Sequence, residues 1–197
     1  TTPSSGRAPA YGLRAPLMSN VRRHKLYSLR CTKKLLTRIG VEPSGEVSAP
    51  STVLGDWYAN ILFSKRQHVV FCLSERTLLP VVLPAKQPAA LPKRLSASLE
   101  TMLQVLGVPS ELIAHELEQM HLQSFAPTLS KSTLGSLNDF MYHLSWSLKE
   151  HADRPLLEHA LRLSEIPCKP LEYGFPREAT VARFQASNVI ALASGVS

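Results

Sequence analysis

The chain has 197 residues, 44% of them hydrophobic and 19% charged, which is enough for one well-buried core and, at ordinary domain sizes, for one domain with a tail. Its formal charge of +7 is unevenly placed: residues 1–40 hold nine Lys or Arg and no acid, while the rest is nearly neutral, with thirteen basic and fifteen acidic groups. No apolar run approaches the roughly 20 residues that cross a bilayer, and three cysteines without a C-x-x-C pair or a secretory signal argue against a disulfide scaffold, so a reducing, cytoplasmic setting is expected.

Residues 1–17, "TTPSSGRAPAYGLRAPL", offer little that can pack. Residues 1–24 are therefore expected to form a basic, disordered N-terminal extension, with Met18 as a natural start. Arg22-Arg23 is followed by further charge rather than the apolar stretch an export signal requires. "KLYSLRC" (25–31) alternates so that Tyr27, Leu29 and Cys31 share a face, which predicts a half-buried strand. Thr32 is placed to cap a short helix over "KKLLTRI", and Gly40 to end it. A loop follows over 41–51.

"WYANILF" (57–63) and "HVVFCLS" (68–74) are rich in β-branched and aromatic residues and read as paired strands joined by "SKRQ". "LLPVVLP" (78–84) makes a third, whose Pro80 belongs at a sheet edge or at the strand's first residues because proline cannot donate to a ladder. The period then becomes helical: Leu95, Leu99, Met102, Leu103 and Leu106 mark a helix closed by Gly107. "PSELIAHELEQMH" predicts another, with Ser110 at its N-cap. A helix over 136–151 is expected to start at Ser136, with Asp139 at its third position complementing the helix dipole. A further helix over 154–166 lies between Asp153 and Pro167, and a short one over 177–184 precedes a loosely held tail, 187–197. Strands early and helices late predict an α+β fold: a single domain over 25–186, with a small, mostly antiparallel β-meander sheet covered on one face by four or five helices.

No G-x-G-x-x-G or P-loop pattern is present. His115-Glu116 opens like the zinc motif H-E-x-x-H, but Gln119 stands at the second histidine position. His121, at i+6, lies about 240° around the helix. No metal and no cofactor is therefore expected. His68 and Cys72 share a strand face but are separated by roughly 13 Å, too far for a nucleophilic pair. "LSKSTLGSLNDF" (129–140) lacks the G-x-S-x-G frame, yet a helix start with Lys131 and several hydroxyls just ahead is suited to an anion.

Three blocks, "LRCTKKLL" (29–36), "LGDWYANILFSKRQHVVFC" (54–72) with "ERTLLPVVLP" (75–84), and "STLGSLNDF" (132–140) with "LSEIPCKPL" (163–171), resemble in order and spacing a bacterial family of unknown function, domain of unknown function 6933. The similarity runs from about Leu26 to Phe184. It implies no activity. It puts weight on Arg30, Cys31, Thr32, Lys34, Gly55, Trp57, Asn60, Arg66, Gln67, Ser132, Gly135, Ser136, Asn138 and Asp139.

These observations lead to the expectation of a cytoplasmic binding module for nucleic acid or another phosphate-bearing ligand, because an acid-free basic segment attracts phosphate. The candidate ligand-binding residues are Arg30, Lys33, Lys34, Asp56, Asn60, Arg66, Lys131, Ser136, Asn138 and Asp139. Two alternatives stand beside it. One is an enzyme acting on a phosphorylated or nucleotide substrate, with Asp56, Asn60, Arg66, Asn138 and Asp139 in one cleft. The other is a regulatory or scaffold protein acting through a protein partner.

Overall fold

A computed structural model of the chain describes residues 27–44, 49–64, 67–121 and 123–194; the expected N-terminal extension lies outside them. Five strands, β1 (Tyr27–Cys31), β2 (Trp57–Phe63), β3 (His68–Ser74), β4 (Pro80–Pro84) and β5 (Gln123–Pro127), form one sheet in the order β4-β3-β2-β1-β5. The β2–β3 hairpin pairs from Trp57 with Ser74 to Phe63 with His68. β4 continues this meander antiparallel to β3 and carries Pro80 and Pro84 at its two ends on a sheet edge, where the missing amides are tolerated.

The expectation of a mostly antiparallel sheet is corrected at β1. This strand pairs in parallel with both β2 and β5, so β3 alone opposes the direction of the other four. The sheet is mixed. β5, "QSFAP", was not foreseen, since only Phe125 among its residues has a strong strand preference. Its place comes from pairing with β1, with Cys31 opposite Pro127 at the common end.

Six helices are found among the described residues: α1 (Lys33–Ile39), α2 (Leu91–Val105), α3 (Ser110–Gln119), α4 (Lys131–Glu150), α5 (Leu156–Leu163) and α6 (Pro176–Ser194). They cover both faces of the sheet, which corrects the one-sided arrangement. Ile61 and Val70 are register partners and line a common crevice with Leu35 and Ile39 of α1. Their strand neighbours Asn60 and Phe71 point the opposite way, and there the Phe71 ring meets Phe140 of α4, with centroids 6.1 Å apart. α5 packs on β4 on this second side, with Leu156, Leu157 and Ala160 around an apolar groove of about 440 Å³ shared with Pro80, Val82 and Met102. Two covered faces explain why every residue of β1 is buried, where alternation alone predicts one wet side.

Local signals place several boundaries. α1 spans the expected residues, and Gly40 ends it in the left-handed region at φ +73°. Thr32 stands at its N-cap in an extended conformation, but its hydroxyl donates to Asn60 Oδ1 instead of capping. α4 begins five residues earlier than expected. Its cap is Ser130, whose Oγ accepts from the Thr133 amide, so Ser136 and Asp139 sit inside the helix rather than at its start. α6 continues past the 177–184 span through Ser194, and most of residues 185–190 are exposed.

Candidate functional site

The polar residues of the first two strands close on one another. Asp56, just ahead of β2, is 1% exposed; its Oδ1 accepts from the Ser28 amide at 2.8 Å, and its Oδ2 accepts from Arg30 Nε and Nη2, each at 2.8 Å. Ser28 and Arg30 point to the α4 side of β1, and the Ser28 hydroxyl also accepts from Ser124 Oγ of β5 at 3.3 Å. A buried guanidinium with its carboxylate and a carboxylate-bound amide is a self-satisfied unit, held because removing either ion would strand the other. Arg30 and Asp56 are thus engaged with each other and largely buried.

The carboxyl ends of β1 and β5 present a different picture. Cys31 and Pro127 lie side by side in register. The chain leaves β1 into α1 on one face and leaves β5 into α4 on the other. Parallel strands whose following helices depart to opposite faces leave a crevice at their carboxyl ends, the usual ligand position of α/β sheets. Lys33 and Lys34 begin α1, Lys131 begins α4, and all three are exposed. Both starts are tied to β2: Thr32 Oγ1 donates to Asn60 Oδ1 at 2.7 Å, and the Ser130 amide donates to the Tyr58 hydroxyl at 3.0 Å. Lys34 Nζ rests 4.2 Å from the centre of the Phe63 ring.

A cleft of about 270 Å³ lies along α4 against residues 166–170. Ser136, Asp139 and His143 fall on one helical stripe and line it, together with Tyr142, Phe140, Ile166, Pro167, Cys168 and Lys169. The Cys168 thiol is pushed up to about 11, by burial first and by the Asp139 carboxylate second, so it is protonated at neutral pH and a poor nucleophile. Burial likewise pushes the Cys31 thiol up to about 12 and the Cys72 thiol well above its ordinary range.

The structure therefore separates the sequence candidates. Lys33 and Lys34 begin the helix that follows β1, Lys131 begins the helix that follows β5, and Asn60 holds Thr32 at the end of β1. Ser136 and Asp139 line the α4 cleft, which does not include Asp56, and Asn138 is exposed on α4. Arg66 lies outside the described residues.

One polar assembly escaped the sequence reading. Glu116 of α3, fully buried, accepts from the amides of Val53 and Leu54 at 2.6 and 3.0 Å. Arg76 donates to the carbonyls of Thr52 and Pro50, and Arg183 of α6 to that of Val53. Together they clamp the segment before β2 and so fix where Asp56 enters the sheet. In the sequence Glu116 was visible only as part of a failed zinc motif.

The model of the family described as Domain of unknown function (DUF6933) matches residues 28–179. The chain belongs to this family. The matched span contains all five strands except the first residue of β1, the strand-end lysines and the residues lining the α4 cleft. No curated protein and no solved structure matches the chain. Among the described residues no helix is long and apolar enough to cross a membrane.

Proposed function

We propose that this domain is a binding module for a phosphate-bearing ligand, seated at the carboxyl ends of β1 and β5. The observation that carries the reading is that the two helices leaving these adjacent parallel strands to opposite faces start with Lys33, Lys34 and Lys131. The Leu35 and Thr133 amides are taken by Thr32 and Ser130, which leaves the amides of Lys33 and Lys34 in α1 and of Lys131 and Ser132 in α4 ahead of the first intrahelical bonds, and the lysines add formal positive charge there. The hydrogen bonds from Thr32 to Asn60 and from Ser130 to Tyr58 hold the two starts on the sheet, so little ordering remains to be done on binding. Nucleic acid is the ligand that also engages the acid-free basic segment within residues 1–40.

The enzyme reading is less well supported, because Asp56 is consumed by Arg30 and Ser28. The test is fluorescence anisotropy with a labelled single-stranded oligonucleotide across salt concentration, comparing the full chain with K33Q/K34Q/K131Q. Binding should weaken as salt rises, and the slope of log K against log salt should become shallower by about 2 in the triple variant, at about 0.7 per single-strand phosphate contact. An unchanged slope in the variant places the binding in the N-terminal segment and overturns the strand-end site. No binding at low salt overturns the nucleic-acid ligand.

A further inference from the structure

The α4 cleft holds two opposite charges that do not meet. Asp139 and Lys169 both line it, and among the described residues neither side chain makes an ion pair or a hydrogen bond. Unpaired with each other and exposed, both charges stay available to a ligand that enters the cleft. Phe140, Ile166 and Pro167 add apolar surface to the same lining. The volume of about 270 Å³ falls just below the range of roughly 300 to 1,000 Å³ for sites that take drug-sized molecules. It therefore suits a ligand of one side chain's bulk.

We propose that this cleft is a second ligand site, for a free α-amino acid with an apolar or aromatic side chain. A zwitterion supplies what the lining lacks: an ammonium for Asp139, a carboxylate for Lys169, and a hydrocarbon body for Phe140, Ile166 and Pro167. The two charge-assisted contacts fix the ligand's orientation, since reversing it sets like charges together. Ser136, one turn before Asp139 on the same stripe, offers a hydroxyl that donates to or accepts from the ligand's charged groups. Nothing in this assignment uses phosphate or the strand-end lysines, so it stands or falls independently of the proposed function.

The experiment is calorimetric titration of the full chain with L-phenylalanine and L-leucine, alongside L-phenylalaninamide, which lacks the carboxylate, and N-acetyl-L-phenylalanine, which lacks the ammonium. Saturable binding of the free amino acids is expected, with each derivative weaker by about tenfold or more. D139N should abolish the penalty of acetylation, and K169M that of amidation. Both residues are exposed, so the variants should fold, as their circular dichroism will report. K33Q/K34Q/K131Q should bind L-phenylalanine as the parent does. No saturable binding at up to about 10 mM, equal binding of both derivatives, or binding untouched by both substitutions overturns the site, as does tighter binding of adenosine than of either amino acid.

Discussion

Asp56 is the residue on which the early sheet turns. Its carboxylate holds both a guanidinium and a main-chain amide out of water, so Asp56→Asn should cost about 3 to 5 kcal/mol by leaving Arg30 charged and unmatched. Adding Arg30→Leu should recover part of that loss, because the double variant has no stranded ion. Urea denaturation at neutral pH measures all three proteins, and losses that simply add would sink the idea. His159 gives a second test at the same scale. On α5 and fully buried, it has Nδ1 2.7 Å from Ser147 Oγ of α4, and among the described residues Nε2 has no hydrogen-bond partner. Burial first, and the neighbouring Arg154 second, push its imidazole below the ordinary range. The folded state therefore resists a proton that the unfolded chain accepts, and this contribution is present above about pH 6.5 and lost as pH falls through that value. Between pH 7.5 and 5.5 the parent should lose more stability than His159→Gln does; parallel losses would show that another group is responsible.

Elements were legible where their signals are local. The β2–β3 hairpin and α1 match expectation residue for residue, since alternation, a β-branched run and a left-handed Gly40 are all written into short windows. α4 was misplaced because Gly135-Ser136 resembles a loop and a cap, whereas the Ser130 cap is chosen partly by its amide reaching Tyr58, which lies 72 residues away. Gly135 inside the helix costs about 1 kcal/mol relative to alanine, too little to break an element anchored at that end. Two other glycines show how local conformation and packing separate. Gly40 and Gly55 both have positive φ, +73° and +80°, but a Cβ at Gly40 meets nothing within 4 Å, while one at Gly55 comes 2.9 Å from Arg76 Cγ. Gly40→Ala should cost about 1 to 2 kcal/mol from the left-handed conformation alone. Gly55→Ala should cost about 1 kcal/mol more, because Arg76 must release a carbonyl of the clamped segment. Thermal unfolding of the two variants orders them; equal shifts would mean that Arg76 moves freely.

At the scale of the whole molecule, the sequence was least informative about which strands meet. β1 and β5 pair across 96 residues, as in the contact of Ser28 with Ser124, and neither strand carries a pattern naming the other. The lysines of the strand-end crevice were visible as residues, but the crevice itself depends on that pairing. The α4 cleft is similar: Asp139 was picked out from its local cluster, while Lys169 arrives from a loop that follows α5.

The edge strand has a last consequence. The amide of Ala85 donates to His68, so by alternation the backbone positions of Pro80, Val82 and Pro84 face away from β3. Of these three, only Val82 has an N–H to give. A strand arriving from another molecule would find one donor where a ladder needs three, and the sheet cannot serve as a template for its own extension along this margin.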